Sequence, residues 1–140
     1  EERSSLNNVI LTPNTPDMRP IYARAKVLLA LSLWWESFGR VVVEASLNGI
    51  PQIISSHGGL REASNDITPK INIPKGLKQP PYNSLPDNQL LLEIKNHVQR
   101  LYDDKVYYRN HSNAAEQYAM KFNLANACKK LSRNIIKIMK

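Results

Sequence analysis

One cysteine, Cys128, occurs in 140 residues, so no disulfide can form within this sequence and its fold must rest on packing. Cys128 falls on the apolar side of the last helical pattern, where a small buried core residue is expected, compatible with a reducing compartment. No apolar run approaches the roughly 20 residues that span a bilayer, and the first residues lack a signal-peptide pattern. There is no Asp-x-Asp and no His or Cys cluster at ligand spacing, so no metal site is expected. Internal repeats and low-complexity tracts are also missing. Acidic residues are scarce, 12 against 19 Lys and Arg, for a formal charge of +7. With 42% hydrophobic and 22% charged residues, the chain can bury one core and is expected to form a single domain over residues 1–140.

Glu36 to Glu44 read Glu-Ser-Phe-Gly-Arg-Val-Val-Val-Glu, two carboxylates eight positions apart. Upstream, Val27–Leu31 is an apolar run of strand length. Trp34–Gly39 then forms a glycine-bearing loop that feeds a helix from about Arg40 to Asn48. In an open α/β sheet, the order strand, loop, helix places a ligand crevice at the strand's carboxyl end. Free N–H groups and the helix dipole favour a phosphate there, and Glu36 would stand at the mouth. Glu44 falls in the second helical turn among Val41, Val42, Val43, Ala45 and Leu47, a costly place for an unpaired carboxylate. A vicinal diol suits it, two donors to two acceptor oxygens. Solvent exposure or pairing with Arg40 is the simple alternative.

The rest of the chain supports an alternating architecture. Asn8–Leu11 reads as a short strand and Thr12–Asp17 as a loop, followed by a helix from about Met18 to Ala25. Gly49-Ile50-Pro51 is a helix stop, and Gln52–Ser55 the next strand, ending at Ser56–Glu62. Strands alternating with helices imply a parallel sheet. Residues 66–88 are rich in Pro, Lys and Asn, with Lys70–Ile73 as a short strand; the remainder is a long loop that is either mobile or covers part of the site. Asp87 caps a helix through about Asp103, a second runs from about Lys105 to Phe122, and a third closes the chain.

That third helix is basic and amphipathic. Leu124, Ala127, Cys128, Leu131, Ile135, Ile138 and Met139 recur at helical spacing, with Lys129, Lys130, Arg133, Lys137 and Lys140 between them. It either packs on the domain or across to a separate one, with its lysines solvated, or lies on an anionic membrane surface. No recognised nucleic-acid motif or aromatic-basic interleaving accompanies the charge, so a nucleic-acid partner is not expected.

Four elements in order, Glu36-Ser37-Phe38-Gly39-x-x-x-x-Glu44-Ala45, Asn48-Gly49-Ile50-Pro51, Gly58-Gly59-x-x-Glu62 and the preceding Thr-Pro-Asp-Met-Arg-Pro-Ile-Tyr-Ala-Arg-Ala-Lys segment, strongly resemble the C-terminal, donor-binding half of retaining GT-B glycosyltransferases of family 4. The resemblance covers about Asn8 to Lys140. It implies a Rossmann-like α/β domain, a parallel sheet flanked by helices, belonging to an enzyme that transfers a sugar with retention from a nucleotide-diphosphate sugar to a hydroxyl acceptor in glycan or glycolipid biosynthesis. It further implies that Glu36 contacts hydroxyls of the transferred sugar near the reacting carbon, a catalytic position. Glu44 is implied to hold the ribose hydroxyls, while Ser37, Phe38, Gly39 and Arg40 form the turn facing diphosphate and sugar. Arg40 departs from the apolar residue usual there. Gly58 and Gly59 either lie near the donor sugar or form a simple turn.

The resemblance implies no cofactor and no metal, a cytoplasmic location with or without peripheral membrane contact through Leu124–Lys140, and a glycan or lipid-linked acceptor held by a separate domain. Glu1–Ser5 looks like the interior of a longer protein. The acceptor domain, and the Arg and Lys that grip the diphosphate, would precede it, so these 140 residues alone are expected to be inactive. Two alternatives remain: another GT-B sugar-nucleotide enzyme, epimerase or phosphorylase-like, and a non-catalytic nucleotide-sugar-binding or membrane-associating module. His57 is expected to make a loop contact or lie exposed rather than shuttle protons. His97 and His111 look structural, and Glu62 a helix-start residue. Trp34 and Trp35 fit an acceptor or domain contact as well as a core anchor.

Overall fold

The structure is a computed structural model describing residues 7–138. The readings of Glu1–Ser5 and of Met139 and Lys140 therefore lie outside the described residues. Strands β1 (Leu28–Ala30), β2 (Gln52–Ser55) and β3 (Lys70–Ile71) form a parallel sheet in the order β1-β2-β3. Leu28 pairs with Gln52, Ala30 with Ile54, and Ser55 with Ile71, so β2 is central. All four residues of β2 are buried, as expected of a parallel strand covered on both faces. Its side chains alternate between two cores. Ile53 packs with Ile71, Ile73, Leu77, Leu90 and Leu101, while Ile54 packs with Val42, Val43, Leu60 and Ala63.

The helices that cover these faces carry the local signals expected of them. Pro20 lies in the first turn of α1 (Arg19–Arg24), where its missing N–H costs nothing. Helix α2 (Arg40–Leu47) buries Val42, Val43, Ala45 and Ser46. It ends in a Schellman motif: Gly49 at φ +64° donates to Ser46 O, and Ile50 N–H to Ala45 O. The short α3 (Leu60–Ala63) follows β2. Asp87 caps α4 (Asn88–Asp103) by accepting from Leu90 N–H at 2.8 Å. Asp104 caps α5 (Lys105–Ala119) by accepting from Val106 and Tyr107 N–H. A 3₁₀ turn, Met120–Phe122, leads into α6 (Leu124–Ile138). His111 is buried with its ring nitrogens 2.9 and 3.0 Å from Tyr107 O and Ile67 O, a structural residue tying α5 to the β3 approach.

Three expectations are corrected. Asn8–Leu11 is not a strand: Val9, Ile10 and Leu11 are largely exposed, and no described strand lies beside them to take their amides. Cys128 is exposed rather than buried, because α6 buries none of its residues. Trp34 and Trp35 are not core anchors, being 66% and 79% exposed. The loop after β3 does reach back toward the rim, where the Tyr82 ring packs at a tilt against Trp34, centroids 5.0 Å apart.

Candidate active site on the sheet rim

Parallel strands aim their carboxyl ends at one edge, so the segments leaving β1 and β2 meet there. Their contact is made by backbone. Gly59 N–H donates to Glu36 O at 2.7 Å. A Cβ on Gly59 would lie 2.4 Å from both Phe38 Cα and Ser37 O, and one on Gly58 would lie 2.7 Å from Glu36 O. Neither position admits a side chain. Gly58 and Gly59 thus act structurally by letting the two turns touch. His57 joins the same contact, its Nε2 lying 3.0 Å from Trp34 O. The donating Nε2–H tautomer leaves Nδ1 a buried acceptor with no protein partner among the described residues. His57 is therefore a buried loop contact, not an exposed side chain.

Gly39 occupies the N-cap of α2 in the left-handed region, φ +83°, with no side-chain cap on the first turn. Only glycine adopts this conformation cheaply, and a Cβ would meet Leu60 Cδ2 at 2.6 Å. The uncapped start of α2 leaves N–H groups free to take an acceptor from the crevice. Phe38 turns away from it, edge-on to Phe122 with centroids 5.4 Å apart. Ser37 and Arg40 are exposed. The half-buried Glu36 accepts from Ser32 Oγ at 3.3 Å through Oε1.

Glu44 does not pair with Arg40. Its Oε2 accepts from the Tyr22 hydroxyl of α1 at 2.8 Å. Burial, this hydrogen bond and the carboxylate's charge push the Tyr22 phenol up to about 12. Helix α1 thereby fixes one oxygen of Glu44 while Oε1 keeps its acceptor capacity. Nothing in the local pattern pointed to Tyr22, which lies 22 positions away on a different helix.

Two large grooves contain neither Glu36 nor Glu44. One, of about 880 Å³, is lined by Lys26, Val98, Tyr102, Lys105, Tyr108 and Arg109. The other, of about 720 Å³, runs between α6 and Phe38, Tyr118 and Phe122. Volume says less here than donors and acceptors do: the rim combines an uncapped helix N-terminus with Glu36 before it and Glu44 on the helix. Among the described residues, no group of three or more His, Cys, Asp or Glu gathers as a metal site would require. No described helix is long and apolar enough to cross a membrane.

No curated protein and no solved structure matches the chain. The model of the family described as "Glycosyl transferases group 1" matches residues 1–77, more than half of the sequence and the whole of the rim. The chain belongs to the group 1 glycosyltransferase family.

Proposed function

We propose that this chain forms the donor-binding half of a GT-B enzyme that moves a sugar, with retention, from a nucleotide-diphosphate sugar to a hydroxyl acceptor. The observation that carries the reading is the uncapped N-terminus of α2 at the rim, with Glu36 before it and Glu44 one turn inside. The free N–H groups of that turn face developing negative charge on a leaving diphosphate and stabilise it without a metal ion. Glu44, with Oε2 held by Tyr22, presents its remaining acceptor capacity to the ribose diol. Glu36 contacts the transferred sugar. The hydrogen bond from Ser32 limits its motion, which is what positioning near a reacting carbon requires. Ser37, Gly39 and Arg40 supply the turn around diphosphate and sugar, while Gly58 and Gly59 act on the donor through that turn.

The test is calorimetric titration with UDP, GDP, ADP and their glucose, galactose and mannose forms, on the native chain and on Glu44→Ala and Glu36→Ala. The expected result is preference for one base, abolished in Glu44→Ala, with discrimination among sugars reduced in Glu36→Ala. Equal binding by all three proteins removes the donor-site assignment.

A further inference from the structure

The rim carries an aromatic patch to which the donor-site reading gives no task. Trp34 and Trp35 are the only tryptophans in the sequence, and they directly precede Glu36 in an exposed loop. Both rings have fixed neighbours. Trp34 O lies 3.0 Å from His57 Nε2, the Tyr82 ring packs against that of Trp34, and the Trp35 ring centroid is 6.2 Å from that of His57. Tyr82 reaches Trp34 from the long loop after β3 with its backbone in the left-handed region, φ +58°, which a bulky residue keeps only where its surroundings impose it. Its N–H donates to Gln79 O at 3.0 Å, closing the turn, and its ring is 41% exposed beside the two indoles.

Charge and size narrow the occupant. The chain carries +7 overall, yet no charged residue occurs from Val27 to Trp35 or from Gln79 to Pro86, the two segments that bear these rings. An anionic partner calls for cations, and those line the two grooves instead: Lys26, Lys105 and Arg109 in one, Lys121 and Lys130 in the other. Three rings also fall well short of the roughly 800 Å² per side of a stable protein interface. They suit a small neutral ring with C–H groups on its faces and hydroxyls around its edge. The faces lie on indole and phenol, and the indole N–H and phenol O–H exchange hydrogen bonds with the edge. A pyranose is such a ring. We propose that Trp34, Trp35 and Tyr82 form a carbohydrate-stacking subsite that this chain contributes to the acceptor side of the rim. Resting on the donor-site reading, with Glu36 the next residue in the chain, this makes the acceptor hydroxyl one borne by a sugar ring.

Because no other tryptophan exists in the sequence, intrinsic indole fluorescence reports this patch directly. The 140-residue chain is titrated, without nucleotide, with maltose, cellobiose, lactose and mannobiose, and with sorbitol as a polyol that has hydroxyls but no ring. A saturable change in emission is expected with at least one disaccharide and none with sorbitol. Trp35→Ala, in which Trp34 remains as reporter, weakens that binding about tenfold, and Trp35→Phe restores most of it. Both variants keep the native melting transition, since Trp35 is exposed. No saturable change with any of the four disaccharides overturns the proposal, as does native-like binding by Trp35→Ala. A response to UDP and to none of the disaccharides assigns the rings to the nucleobase instead. A dimer in light scattering that Trp35→Ala converts to monomer assigns them to a second copy. Disaccharide binding alongside nucleotide binding that Glu44→Ala leaves unchanged removes the donor-site reading alone, and the reverse pattern removes this subsite alone.

Discussion

The rim around Glu36 and the terminal helix α6 both stand out in the sequence as patterns, yet they are held in opposite ways. The rim is fastened by main chain, with Gly59 N–H on Glu36 O and glycines where no Cβ fits. Helix α6 buries no residue. At Gly58 and Gly59 the motif carries its own contacts, because a Cβ there would strike the backbone of the facing turn. An amphipathic stripe says only that a helix has an apolar side, and leaves open what lies against it.

The contrast can be broken by substitution. Gly59→Ala is expected to have the largest effect, a loss of about 3 kcal/mol, because its Cβ meets rigid backbone of Ser37 and Phe38. Urea unfolding measures it; an unchanged midpoint means that the two turns separate at little cost. Gly39→Ala comes next, at about 1–2 kcal/mol for the left-handed backbone. Its steric conflict is with Leu60 Cδ2, the tip of a side chain that can swing aside.

Tyr22→Phe is expected to cost about 1 kcal/mol near neutral pH through the lost hydrogen bond to Glu44. It also changes the alkaline limb. The folded chain holds Tyr22 protonated to about pH 12, whereas the unfolded chain releases that proton near 10. The corresponding stability is complete below pH 10 and is lost as pH rises toward 12. Phenolate absorbance should lose its component near pH 12 in the variant, and persistence of that component assigns it to another tyrosine. Leu131→Asp is expected to have the smallest effect, within about 0.5 kcal/mol, because α6 is open. A drop as large as that of Gly59→Ala would show α6 packed on the body and end the contrast.

Much of this was legible beforehand because the signals were local. The Gly49 stop, the Asp87 cap and all four residues of β2 follow from neighbours in sequence. The Asn8–Leu11 strand failed for the complementary reason. An apolar run has strand propensity, but a strand exists only when another strand accepts its hydrogen bonds. Cys128 failed with it, since a helical face indicates burial only if a partner face is present. At the rim, the loop and the helix that follows it could be read directly. The partnership of Glu44 with Tyr22 could not, because it is set by how α1 and α2 approach in space. Likewise, nothing in a Gly-Gly pair identifies the backbone it will press against.

The main-chain bond between Gly59 and Glu36 also separates shape from chemistry in this molecule. Position is carried by atoms that every residue at 36 possesses, so exchanging the side chains at 35, 36 and 37 leaves the two turns docked. On the proposed donor-site reading, preference for one sugar over another would drift through single substitutions at these tips, while a one-residue insertion in either turn displaces the whole rim.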